Sequence, residues 1–94
     1  MEGSARQKVQ GGKLITVKLR YSDRIEEIQI LGDFFLYPEN SLPKIEESVL
    51  GMKSTSSAEQ LAKRIWDAMS AGGIELIGAT PQAIAQTIIE AMRV

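Results

Sequence analysis

The sequence predicts a single α+β domain: an antiparallel β-hairpin, extended to a small three-stranded sheet, with about three helices packed on one face. Three observations carry that reading. Apolar and polar residues alternate through residues 14–21 and again near 28–31, the period of a strand with one buried side. Three later stretches space their apolar residues at helical intervals, and each follows a Ser, Asn or Thr suited to capping. Glycines fall between these stretches rather than within them. At 94 residues with 44% hydrophobic composition, the chain supports one modest core.

Taken in order, residues 1–10 are polar and are expected to form a flexible N-terminal segment, leaving 11–94 as the folded domain. Gly11-Gly12 marks a turn. Ile15, Val17, Leu19 and Tyr21 then share one face of a strand, with Thr16, Lys18 and Arg20 on the other. Ser22-Asp23-Arg24 is a polar break. Ile28 and Ile30 alternate with Glu27 and Gln29 up to Gly32, and so short a link favours antiparallel pairing. Beyond Pro38, Asn40 or Ser41 can cap a helix with Pro43 in its first turn and Leu42, Ile45 and Val49 on its buried stripe. Gly51 is placed to end it in the left-handed conformation.

The second helix opens on Ser56 with Glu59, or in the alternative register on Ser57 with Gln60. It carries Leu61, Ile65, Ala68 and Met69 on one stripe and stops at Gly72-Gly73; Trp66 lies off that stripe, about 140° round from Leu61. Ile74-Glu75-Leu76-Ile77 is read as a short third strand, with a plain extended connection as the alternative. Thr80-Pro81 pairs an N-cap with an N1 proline, opening a last helix with Ile84, Ala85, Ile88 and Met92 inward.

Composition narrows function mainly by what it removes. A formal net charge of -1, with Lys63-Arg64 the only adjacent basic pair, argues against a nucleic-acid or anionic-membrane binder. No apolar run spans a bilayer and the first residues lack a signal-peptide layout, so the expected compartment is cytoplasmic. The chain has no cysteine and no histidine, which removes thiolate nucleophiles, iron–sulfur ligation, cysteine-based zinc sites and the usual general base. No Gly-rich phosphate loop with Lys-Ser/Thr is present. No catalytic residue and no metal ligand is therefore assigned, and the chain is not expected to catalyse a reaction alone.

Two constellations remain. Phe34, Phe35, Leu36 and Tyr37 put four large side chains in a row, so a continued strand turns two inward and two outward; the four together are the candidate partner interface. The competing reading folds the loop back and buries all four. Lys8 with Gly11, Gly12 and Lys13 has the makings of a small anion-binding turn, against the ordinary reading of paired glycines before a strand. Asp33 directly precedes the aromatic row and has no histidine or neighbouring carboxylate as an acid–base partner; a bond from its side chain to turn N–H groups is the commoner use of such an aspartate. Glu26-Glu27 and Glu46-Glu47 read as solvated faces, since adjacent residues do not converge on a strand or a helix.

Gly-Gly-Lys-Leu-Ile, the alternating strand, and Ile-Gln-Ile-Leu-Gly-Asp-Phe-Phe-Leu-Tyr-Pro together resemble the accessory, C-terminal-type domain of lipoate–protein ligases. The likeness continues through Leu42–Gly51, the second capped helix and Ile77-Gly78-Ala79-Thr80. The hairpin-then-helices order is also similar to iron–sulfur scaffold proteins, whose cysteine would fall near Asp33; with no cysteine, that function does not carry over. The resemblance implies the separate accessory subunit of a two-chain ligase, a heterodimer in which the catalytic subunit holds ATP, Mg and lipoate and makes lipoyl-adenylate. The lipoyl group then passes to a lysine on lipoyl domains of 2-oxoacid dehydrogenase or glycine cleavage complexes. On this reading the aromatic stretch contacts the catalytic subunit, and Lys8, Gly11, Gly12 and Asp33 lie near phosphate or adenylate. The alternatives are a non-catalytic scaffold of the iron–sulfur-assembly type and a self-associating structural module.

Overall fold

The computed structural model describes residues 1–9, 11 and 13–93. Its strands are β1 (Glu2–Lys8), β2 (Leu14–Tyr21), β3 (Ile25–Gly32), β4 (Phe35–Tyr37) and β5 (Glu75–Ile77). Its helices are α1 (Leu42–Val49), α2 (Ala58–Gly72) and α3 (Pro81–Ala91), with a single 3-10 turn at Glu39–Ser41 leading into α1. β1, β2 and β3 form an antiparallel sheet in that order, and β4 and β5 form a separate two-stranded ribbon. The predicted α+β class, the hairpin and the three helices are all present.

The alternation in β2 explains why the sheet has a helical side. Ile15, Val17, Leu19 and Tyr21 are buried, as is Ile30 from β3, and they meet Ile45 and Val49 of α1, Leu61 and Ile65 of α2, and Ile84 and Ile88 of α3. Each fully buried side chain of this size contributes roughly 1.5–3 kcal/mol relative to exposure, so this layer supplies the bulk of the driving force. The α2 cap adopts the second of the two registers: Ser57 Oγ accepts the Gln60 N–H and Gln60 Oε1 accepts the Ser57 N–H. Thr80 Oγ1 accepts the Ala83 N–H to open α3. Gly51 and Gly73 end α1 and α2 with positive φ, at 81° and 61°.

Three expectations are corrected. The polar N-terminal segment is a seven-residue edge strand rather than a fraying tail, paired with β2 from Glu2↔Arg20 to Lys8↔Leu14. Its inward positions are Gly3, Ala5 and Gln7, which are small or polar, so no hydrophobic alternation announces it. A Cβ on Gly3 would sit 1.9 Å from the Ala91 carbonyl oxygen, so the strand needs a residue without a side chain where α3 presses on it. The third strand of the sheet is therefore β1. Ile74–Ile77 supplies β5, which pairs with β4 instead. Finally, Glu46 is not merely solvated: its Oε2 accepts the Ile30 N–H at 2.8 Å. Glu26 and Glu27 are exposed and pair with Arg20, in keeping with a solvated face.

Candidate functional site

The ribbon is built by two local devices. Gly32 ends β3 where a Cβ would be 2.5 Å from the Leu14 carbonyl oxygen and 2.7 Å from the Phe34 ring, so only glycine lets that ring fold back against the sheet. The Asp33 N–H donates to the same Leu14 oxygen at 3.1 Å, holding the chain as it leaves the sheet. β4 then alternates. Phe35 is 66% exposed, Leu36 only 8%, and Tyr37 61%. With Phe34 half-buried against the core, the four side chains divide two in and two out, and the reading that buries all four fails. Leu36 belongs to the domain's own core and Phe34 packs against it, so the outward pair among the expected interface residues is Phe35 and Tyr37.

β5 enlarges the outer face. The register places Phe35 opposite Ile77 and Tyr37 opposite Glu75, and residues directly opposite share a face of the ribbon. Ile77 is 47% exposed. Leu31, at the end of β3, is exposed beside a groove that Phe35 and Leu42 also line. The result is a contiguous aromatic and aliphatic surface. No sequence pattern singles out Ile77 or Leu31; Ile77 joins the surface through the β4–β5 pairing, which nothing local specifies.

The basic turn lies next to this surface. Lys13 Nζ stands 6.0 Å from the Phe35 ring centroid, at the edge of cation–π range. Gly11 adopts φ 93°, with open space around its Cα. Gly12 lies outside the described residues. Lys8 and Lys13 line one cleft together with Gly78 and Thr80. Asp33 does not line that cleft. Its side chain makes none of the hydrogen bonds among the described residues, so the expected side-chain turn bond is replaced by the main-chain bond to Leu14. Among the described residues, no three of His, Cys, Asp and Glu converge to hold a metal, and no helix is long and apolar enough to cross a membrane.

The fold and the exposed face define a class: a small α+β domain with a three-stranded antiparallel sheet, three helices and a β4–β5 ribbon that leaves Phe35 and Tyr37 in solvent. No protein-family model matches the chain. A curated relative, lipoate-protein ligase A subunit 2 of Thermoplasma acidophilum, is 36% identical over 72 residues, covering 77% of this chain and 67% of the relative. A solved chain from the bi-partite lipoate protein ligase and E2 lipoyl domain system of the same organism matches with a TM-score of 0.72 at 34% identity, covering 100% of this chain and 97% of that one. The chain belongs to the lipoate–protein ligase A subunit 2 family, the accessory subunits of bipartite lipoate–protein ligases.

Proposed function

We propose that this subunit binds its catalytic partner through the outer face of the β4–β5 ribbon and so supports ATP-dependent activation of lipoate to lipoyl-adenylate. Transfer to a lysine of a lipoyl domain follows in the assembled ligase, in the cytoplasm. The observation that carries the docking step is the row formed by Phe35, Tyr37 and Ile77, exposed side by side on a small domain. Apolar surface of this kind is favourable to cover at roughly 25 cal/mol per Å², and aromatic residues commonly anchor such contacts. The T. acidophilum ligase is bi-partite and is paired with an E2 lipoyl domain, which supports a protein partner here.

On this reading the chain contributes shape and contacts rather than catalytic residues. Catalytic residues and the main sites for ATP, Mg and lipoate belong to the partner. The accessory domain packs against it, orders the loops round the nucleotide and excludes water from the activated acyl group. The test is a reconstituted assay of lipoyl-adenylate formation with the partner alone, this chain alone and both together, beside calorimetric titration of wild-type and Phe35→Ala chains. Activation only by the pair, and an association weakened by about 1–3 kcal/mol in the variant, are the expected results. Equal activation by the partner alone ends the accessory reading. A stable homodimer of the isolated chain by light scattering, with Phe35 buried in it, ends the docking reading.

A further inference from the structure

A cleft of about 510 Å³ separates the β1–β2 turn from the start of α3. Lys8 lines it from β1 and Lys13 from the turn into β2, with Gly78, Thr80 and Ala83 on the opposite wall. No carboxylate is among the described residues that line it. Elsewhere on this net-negative chain Arg20, Lys63 and Arg93 each meet an acidic side chain. The Thr80 hydroxyl oxygen accepts the Ala83 N–H, and among the described lining residues Lys8 and Lys13 are the charged donors. Two like charges share one concave surface with no carboxylate between them, an arrangement that an anion relieves.

The cleft is also continuous with the docking face. Lys13 lines the cleft and stands over Phe35, and its Cδ lies 3.1 Å from where a Cβ on Gly78 would be. Gly78 follows β5 directly and adopts φ 93°, so the chain turns from the ribbon into the cleft wall without a side chain that would displace Lys13. A ligand held by whatever covers Phe35 and Ile77 is thus brought to the mouth of the lysine cleft.

We propose that Lys8 and Lys13 receive the phosphate chain of the nucleotide bound by the catalytic subunit, completing an anion site that neither chain holds alone. This rests on the docking reading above. Lysine suits the role because its ammonium is a mobile point charge that can follow the pyrophosphate as the lipoate carboxylate displaces it from the α-phosphorus. Asp33, which the family resemblance groups with Lys8, does not line the cleft, and a carboxylate in it would repel phosphate.

The test uses the reconstituted two-chain ligase with Lys8→Gln, Lys13→Gln, the double variant and Lys13→Arg, reading pyrophosphate release against ATP concentration and subunit association by calorimetry. The double variant should associate normally, keep its KM for lipoate and raise its KM for ATP about fivefold to tenfold, with Lys8→Gln alone intermediate and Lys13→Arg close to wild type. An unchanged KM for ATP in a fully associated complex overturns this site and leaves the docking reading standing. Loss of association in step with the rise in KM also overturns it, since the lysines then act through docking. Activation that does not need this chain at all removes both.

Discussion

Glu46 and Ile30 are joined across the side of the sheet: Oε2 of the helix carboxylate accepts the N–H of the strand residue at 2.8 Å. β3 is an edge strand, and an outward-facing N–H on such an edge is an open site for pairing with another chain. Glu46 fills it from α1 and ties the helix to the sheet. Glu46→Ala should cost about 1–2 kcal/mol, since a half-buried donor loses a charged acceptor, whereas Glu46→Gln keeps an acceptor and should recover much of that. Glu47, exposed one position on, should be near-neutral to alanine. Urea unfolding of the three variants checks the contrast, and equal midpoints for Glu46→Ala and Glu47→Ala refute it.

Gly3 faces the last residue of α3 with no room for a side chain. An alanine methyl at this position would fall 1.9 Å from the Ala91 carbonyl oxygen, so Gly3→Ala cannot be absorbed by turning a side chain; strand or helix must move. Forced displacement of this kind costs about 1–3 kcal/mol. Ser4→Ala, one residue along on the exposed face, should be neutral. Hydrogen exchange in β1 gives the spatial readout: protection should fall across residues 2–8 in Gly3→Ala while the β2–β3 pairing keeps its own.

These two contacts show where the sequence was legible and where it was not. β2 could be read directly because Ile15, Val17, Leu19 and Tyr21 announce a buried face by period alone. β1 could not, because its inward positions are Gly3, Ala5 and Gln7, chosen for fit against α3 rather than for hydrophobicity. The starts of α2 and α3 were legible as side-chain chemistry, at Thr80 and in the two candidate registers at Ser56 and Ser57, whereas Ser41 at the head of α1 makes no side-chain capping bond. The ribbon was half legible. The row of four large residues at 34–37 signalled an outward pair, but Ile77 joins that face only through a pairing about forty residues distant in sequence. Nothing local to Ile74–Ile77 says whether the strand completes the main sheet or makes a separate ribbon.

Neighbouring residues of β4 should separate stability from docking. Leu36→Ala removes a side chain that is only 8% exposed and should lower stability by about 2–4 kcal/mol, with most of its effect on unfolding. Phe35→Ala and Tyr37→Ala alter side chains already in solvent and should shift the melting temperature little. If all three variants melt alike, the alternation inferred for the ribbon is wrong.

Thr87 and Gln7 supply the sharpest test of how β1 is held. Thr87 is fully buried, and its hydroxyl oxygen lies 2.8 Å from the Ala83 carbonyl and 2.9 Å from Gln7 Oε1. A hydroxyl has one proton, so it cannot donate to both. Donation to Ala83 leaves an oxygen that accepts, and the Gln7 amide satisfies it when turned to present its NH2 group, the two ends of an amide being interchangeable by rotation. Thr87→Val keeps the shape but strands that amide against a hydrophobic wall, at a cost of about 1–2 kcal/mol. Gln7→Met alone strands only the hydroxyl, which still has Ala83 as its acceptor, and should cost less. Replacing both removes the polar pair entirely, so the double variant should be more stable than the sum of the single effects implies, with a coupling of about 0.5–1 kcal/mol. Strict additivity in a urea double-mutant cycle would mean that Thr87 and Gln7 do not share a bond, and that packing rather than a polar contact holds β1 to α3.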